Sequence, residues 1–596
     1  MREQARALRY LVTVTFRSHP VLAVAALFDA AQGVAYFLAP LFMKVLIDGV
    51  VQGDRAAALR GALVVAALPG LGFLLGWLGT RARITLSQRM GFVFDAKAAE
   101  VAAALPGLEH LENPEHLDRH QMVTQGSQAL GGALNNLLNL LSTLLRTGAL
   151  YFTVASVSPW LLALALFGLP SIWTQTLIYR WNKAATEEAA PLRRLAQHLE
   201  TVMGSAPGGR EIRVFGIEDR VALRRHEVEI EAAQLMDRAR RKAAPLNLGM
   251  GILSAGAVVI AVTYTLSLAF DGKATVGDVA MVLALAALVP VMLSSFVSQV
   301  QGMLGGILIT VNRLLWLVDY AEEQKARYSG TTPPPERLAD GIVLDHVSFR
   351  YPGTEPWILK DFSATLDAGA VTAIVGDNGA GKTTLVKLLC RFYDPDEGRI
   401  LVDEVDLREF DIEAWRRRLT MANQDFARLE LLARETVGVG LLAAIDDEGA
   451  VRGAVDRAGG ADVIERLESG LATQLGRQWE GGTDLSMGQW QKLALARGLM
   501  RETPLLQLFD EPTASLDAGT EHALFERLTS ASSGDATRDP GTVTVLVSHR
   551  FSTVRAADRI LVIDDGKLVE NGAHAELVRA AGLYAELYEI QAAAYR

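Results

Sequence analysis

The chain has 596 residues, half of them apolar and 21% charged, with a formal net charge of −10 and a mean hydropathy of +0.20. That length exceeds a single hydrophobic core, and this mixture suits a chain divided between lipid and water. The acidic balance argues against a nucleic-acid partner, which needs a basic face, and the single cysteine, Cys390, excludes an intrachain disulfide.

Met1-Arg2-Glu3-Gln4-Ala5-Arg6 opens a basic amphipathic stretch that also holds Arg9 and Arg17. No signal-peptide pattern precedes the first long apolar run, so that run is expected to direct insertion itself. Apolar stretches able to cross about 30 Å of hydrocarbon fall near 21–47, 60–79, 129–156, 160–179, 246–270 and 275–308. The gaps between them alternate short and long. The long ones, about 80–128 and 180–245, carry Arg81, Arg83, Arg89, Lys97, Arg119, Arg180, Lys183, Arg193, Arg194, Arg210 and Arg213. Excess positive charge marks the cytoplasmic side, so both termini are expected inside.

The long gaps keep helical spacing of apolar residues among charges, as in 186–203 and 218–241. At 1.5 Å per residue they predict helical arms reaching ~30–40 Å from the membrane. The arms turn near Glu112-Asn113-Pro114-Glu115-His116 and Ala206-Pro207-Gly208-Gly209-Arg210, where they are expected to touch a soluble domain. The domain reading is therefore a membrane part over 1–320, a polar linker over 321–340 with Pro333-Pro334-Pro335, and a soluble part over 341–596 opening with the strand 342–349.

The soluble part carries the chemistry. Gly376-Asp377-Asn378-Gly379-Ala380-Gly381-Lys382-Thr383 is a complete G-x-x-x-x-G-K-[ST] phosphate loop, followed by Thr384. It lies between an apolar β-branched run, 371–375, and a helical run from Leu385. Glycines let the backbone curl around phosphate, backbone N–H groups and the helix N-terminus meet its charge, Lys382 reaches the terminal phosphates, and Thr383 offers a hydroxyl to Mg²⁺. Cys390, late in that helix, reads as a packed inert thiol.

Farther on, Leu505-Leu506-Gln507-Leu508-Phe509-Asp510-Glu511 is an apolar strand ending in two carboxylates. Asp510 is assigned to the metal and Glu511 to the catalytic base that orients the attacking water. Upstream, Asp484-Leu485-Ser486-Met487-Gly488-Gln489 opens a helix. A serine hydroxyl, a glycine N–H and a helix N-terminus form an anion site, expected to clamp the nucleotide of a partner domain.

The phosphate loop, the 485–489 signature, Asp510-Glu511 and Ser548-His549-Arg550 together resemble the nucleotide-binding domain of ATP-binding cassette (ABC) transporters. With six preceding spans the chain resembles a half-transporter: an α-helical six-span membrane domain of the exporter type, then an α/β P-loop domain. The resemblance implies that Tyr351 stacks on adenine, Gln424 senses Mg²⁺ and the membrane domain, Ser486, Gly488 and Gln489 meet the partner's ATP, Asp517 belongs to the inter-subunit loop, and His549 contacts the γ-phosphate. ATP and Mg²⁺ are the implied cofactors, and a second half-transporter is the implied partner. The family has glycine where Met487 stands. A homodimer is the preferred reading. A heterodimer, pairing an intact glutamate with an altered signature, is the alternative.

ATP-driven export across a bacterial cytoplasmic membrane is the expected function, although nothing in the spans fixes direction. The runs 209–216 and 489–497 resemble exporters of modified peptides such as lantibiotics, which makes a peptide the expected cargo. A multidrug or lipid exporter is the alternative; an ATP-gated channel or low-turnover regulatory subunit is a third reading. Asp29 and Arg146 fall inside spans, where charge is costly and faces a bundle interior or an aqueous cavity, and Gln32, Asn136, Asn139 and Gln175 add polarity.

Overall fold

Length and hydropathy in the first half of the chain demand helices that satisfy their own backbone, and a computed structural model supplies them. It describes residues 2–113, 116, 127–303, 308–511, 540–548 and 550–594. Among these described residues, six stretches of helix are long and apolar enough to cross a membrane: Pro20–Gln52, Arg55–Ala103, Leu134–Ala155, Pro159–Gly204, Glu218–Phe270 and Val276–Gly302. The chain folds as two compact units, residues 1–103 with 121–319, and residues 104–120 with 320–596.

Within the first unit, the first two spans pack backbone to backbone through glycine. A Cβ on Gly61 would stand 2.6 Å from Leu46 N, and one on Gly79 would stand 2.2 Å from Asp29 N. Only a missing side chain permits that approach, the usual basis of helix packing in lipid. Phe37, Leu150, Val154, Leu161, Ala257, Ala261, Met281, Val282 and Val289 fill the bundle interior. Phe37 is thus a core residue, and Thr153 Oγ1 donates to its carbonyl at 2.9 Å. Tyr36, Trp77, Trp160 and Trp173 are exposed, as belt residues are.

The long gaps are helices continuous with the spans. Arg55–Ala103 runs for 49 residues and Glu218–Phe270 for 53. In the second arm, Ala185, Ala189 and Ala196 are buried on one helix and Val228, Ala232, Ala239 and Ala243 on the other. Its turn holds the short helix Ala206–Phe215, capped where Gly208 N donates to Ser205 Oγ at 3.2 Å.

The second unit carries two sheets. Strands β1 (Gly341–Phe349), β2 (Leu359–Asp367), β4 (Glu397–Val402) and β5 (Val405–Asp406) form an antiparallel sheet in the order β2-β1-β4-β5. The larger sheet runs β10-β9-β3-β8-β7-β6, from β3 (Val371–Val375), β6 (Leu419–Ala422), β7 (Leu506–Asp510), β8 (Val543–Val547), β9 (Arg559–Asp564) and β10 (Lys567–Gly572). All its pairings are parallel except β10 on β9. β3 and β8 are buried along their whole length, which explains their unbroken apolar sequence.

The stretch expected as a polar linker, 321–340, is anchored near both ends. The helix Leu308–Arg327 extends into it, and the Asp403 carboxylate accepts from the N–H groups of Ala339, Asp340 and Gly341 at 2.8, 2.9 and 2.9 Å. Extended backbone with free N–H groups near a turn carboxylate has a partner at hand, so this tether is fastened. Beneath the phosphate-loop helix (Lys382–Leu389), fully buried Trp415 stacks on Phe410 and donates from Nε1 to Leu389 O at 3.1 Å. Trp415→Ala is expected to cost about 3–5 kcal/mol, read as a lowered Tm of the nucleotide-binding part in thermal denaturation.

Candidate functional site

At the end of β3 the chain turns through Gly376, Gly379 and Gly381, with φ of 156°, 88° and 106°. L side chains resist those last two conformations, so glycine lets the loop curl before the helix Lys382–Leu389 begins. Lys382 Nζ donates to the carbonyls of Gly376 and Asp377, both at 2.8 Å, and lies across the loop. Burial pushes this ammonium's pKa down, while the carboxylates of Glu511 and Asp510 pull the other way. Asn378, Ala380, Thr383 and Thr384 complete the segment.

Two strands away, β7 delivers Asp510 to the same end of the sheet. Burial pushes its carboxyl up, the Thr383 hydroxyl that hydrogen-bonds to it acts oppositely, and Glu511 adds a like charge. Thr383 and Asp510 therefore meet: hard oxygen donors of the kind Mg²⁺ takes. Glu511 has φ of 47°, left-handed and strained for a non-glycine residue, and its N–H donates to Val547 O at 2.9 Å. Gln424 is exposed two residues past β6, and neighbouring Asp425 lies within electrostatic reach of Asp510. Cys390 is buried, its thiol pushed up to about 12 by burial.

The expected signature is a well-formed helix start. Ser486 caps Met487–Gly498, its Oγ accepting from Gln489 N at 3.3 Å while Gln489 Oε1 accepts from Ser486 N at 2.8 Å. Met487 is 48% exposed, and its sulfur lies 3.0 Å from Arg428 Nη2. The cap geometry is thus intact despite the side chain where the family has none. The phosphate loop and this helix stand on different hydrophobic clusters. Ile374, Ala380 and Leu385 belong to one, and Leu485, Trp490 and Leu493 to the other. Asp517 and His549 lie outside the described residues.

Sequence reasoning missed the surroundings of Tyr351. This ring packs edge-on to Phe349 and Tyr393, its hydroxyl lies 3.0 Å from Thr384 Oγ1, and Lys387 Nζ stands over it at 5.0 Å from the centroid. Lys387 pairs with Glu112 at 2.7 Å, so the first arm's turn packs within the second unit, as its position led us to expect.

In the membrane unit, Asp29 and Arg146 meet. Asp29, 7% exposed, accepts from Arg146 Nη2 at 3.0 Å, Thr80 Oγ1 at 3.3 Å and Ser142 Oγ at 3.3 Å. Arg83, which the sequence placed among the arm charges, joins it at 3.5 Å and also donates to Asn139. Two guanidinium groups thus share one carboxylate. Gln32 lines a cavity of about 620 Å³ with Phe73, Trp77 and Thr80. Gln175 lines another of about 510 Å³ with Ser254, Ser294, Ser298 and Gln299. Asn136 is exposed.

A phosphate loop facing a strand-end carboxylate pair, in a chain with six apolar helices, defines an ATP-using membrane protein. Residues 359–514 match the ABC transporter family. The ATM1-type heavy metal exporter of Novosphingobium aromaticivorans is 30% identical over 96% of this chain and 92% of its own. The subtilin transport ATP-binding protein SpaT of Bacillus subtilis is 27% identical over 84% and 80%. An ATP-dependent lipid A-core flippase of Alcanivorax borkumensis is 34% identical over 46% of this chain, a match that spans about half of that relative (45%). A bacterial Atm1-family ABC exporter with ATP bound superposes with a TM-score of 0.72 at 28% identity, over 96% of this chain and 99% of that one. The chain belongs to the ABC transporters, as an exporter that fuses six membrane helices to one ATP-hydrolysing cassette.

Removing one partner from a buried charge cluster leaves the others uncompensated. Asp29→Asn is expected to destabilise the membrane unit by about 3–5 kcal/mol, and Asp29→Asn/Arg146→Met by less, read as Tm in detergent.

Proposed function

We propose that two copies of this chain form an exporter in a bacterial cytoplasmic membrane, with cassettes and both termini on the cytoplasmic side. The observation that carries this reading is the arrangement of the cassette's two anion-binding surfaces. The phosphate loop and the Ser486-capped helix are built on separate clusters, and Ser486 Oγ, which accepts from Gln489 N, keeps its O–H to donate to an anion. Ser486, Gly488 and Gln489 of one copy would close the ATP held by residues 376–384 of the other, and Asp517 would serve the loop between them. The exposed tip of the second arm, with Val214 at 81% and Phe215 at 69%, offers a second surface for that copy to cover. Intact cap geometry at Met487 favours two identical chains over a heterodimer.

In this reading Tyr351 stacks on the base and Lys382 neutralises the terminal phosphates. Thr383 and Asp510, with Gln424 nearby, are the residues that fit Mg²⁺. When bound, the metal would neutralise charge on the β- and γ-phosphates. Glu511, held by the Val547 carbonyl, orients the attacking water and takes its proton, while His549 steadies the charge growing on the γ-phosphate. Closing two cassettes draws the arms together, and the cycle moves cargo only if its affinity differs between the two membrane states.

A peptide, modified or not, is the proposed cargo. Support comes from the 209–216 and 489–497 runs, from the relative named for subtilin transport, and from the uncharged cavity of Ser254, Ser294, Ser298, Gln175 and Gln299, whose hydroxyls and amides suit peptide groups. One observation favours a second reading. Two guanidinium groups on one carboxylate leave positive charge near Gln32, which suits an anionic amphiphile such as a lipid.

In proteoliposomes, lantibiotic-type peptides are expected to raise ATPase activity several-fold and anionic lipid additives are not. The reverse result would move the assignment to lipid. Glu511→Gln is expected to lower phosphate release by at least ~10²-fold while Mg-ATP binding persists. Native mass measurement of the purified complex is expected to give twice the chain mass, and a monomer with saturating Mg-ATP would overturn the dimer.

A further inference from the structure

Glu112 ends the short helix Glu109–Glu112 in the turn of the first arm, and its carboxylate meets two groups far away in sequence. Its Oε1 accepts from Lys387 Nζ at 2.7 Å and its Oε2 accepts from the Tyr393 hydroxyl at 2.7 Å. Both donors bear on one ring. Lys387 stands over Tyr351 at 5.0 Å from the centroid, and Tyr393 meets the same ring edge-on at 5.5 Å and 89°. Phe349 supplies a second edge contact at 5.3 Å, and Thr384 anchors the Tyr351 hydroxyl at 3.0 Å. One carboxylate therefore fixes two of the four groups that set the plane of Tyr351.

Charge and burial keep the arrangement in one protonation state. Burial alone would push Lys387 down, but the hydrogen bond and charge of Glu112 hold it above the ordinary lysine value. Burial and the same carboxylate raise Tyr393, so its hydroxyl stays a donor. A cation over one face of an aromatic ring leaves the opposite face for stacking. Lys387 also lies one and a half turns beyond Lys382 on the phosphate-loop helix. The groups behind the base and the group on the phosphates thus share one rigid element.

We propose that Glu112 is a positioning residue for purine recognition: through Lys387 and Tyr393 it holds the Tyr351 ring in the plane that accepts the base, so affinity for the base depends on the seating of the first arm's turn. This rests on the reading of residues 376–384 and Tyr351 as the ATP site. An ion pair that merely staples the turn to the cassette would act on the whole site alike, whereas a positioning role acts on the base and spares the phosphates.

The test uses the full-length protein in lipid nanodiscs and two probes, Mg-ATP and Mg-tripolyphosphate, which lacks the base. Glu112→Gln, nearly isosteric, is expected to weaken Mg-ATP about 3- to 10-fold and to leave tripolyphosphate within about twofold. Lys387→Gln should give the same pattern with Glu112 in place. In Tyr351→Ala, adding Glu112→Gln should bring no further loss of Mg-ATP affinity. Equal weakening of both probes, unchanged Mg-ATP affinity in either variant, or losses that multiply in the double variant would overturn the proposal. A wild-type protein that binds neither probe would instead overturn the ATP-site reading, and this inference with it.

Discussion

The cassette depends on a strand that no water reaches. β3 sits between β8 and β9 with every residue buried, so its hydrogen bonds and its apolar side chains are fully used. A rigid strand of that kind presents the next residues at a fixed point, and glycines at 379 and 381 permit the reversal that aims N–H groups outward. β7 ends at the same edge of the sheet, which brings Asp510 to Thr383 without any long-range design beyond parallel register. Where those two strands stop therefore sets which side chains of the loop and of β7 stand together.

The membrane unit solves the opposite problem, since lipid offers no hydrophobic drive between helices. Close approach at Gly61 and Gly79 supplies dispersion contacts there, and Asp29, Arg83 and Arg146 supply polar cohesion. The second arm, rich in charge, packs through alanine instead. One chain thus uses small residues twice, in an apolar and in a charged stretch, for the same geometric reason.

The spans, the arms and the phosphate loop were legible because each rests on a local pattern: twenty apolar residues, a 3.6-residue period, a fixed spacing of glycines and lysine. Asp29 and Arg146 were legible as costly charges inside spans, and the helix packing brings them together. Arg83 was not, because its charge resembles that of any arm arginine and only the helix packing brings it to Asp29. The fastened linker was hidden for a similar reason: Asp403 holds it from 62 to 64 residues away. The Glu112 contacts span 275 and 281 residues, and no spacing rule reaches that far. The partner of Met487, Arg428, also comes from another element.

The helices Arg55–Ala103 and Glu218–Phe270 pass from apolar span to charged arm as single elements, each with one internal proline, Pro69 and Pro245, whose missing N–H removes one bond of the ladder. A helix of 49 residues is about 74 Å long, and its internal proline is where such a rod bends most easily. Rocking such a rod by about 5° about its middle carries its two ends about 3 Å in opposite senses. Motion imposed on the charged end is therefore passed to the apolar end in the opposite sense, as in a seesaw, less whatever bend the proline takes up.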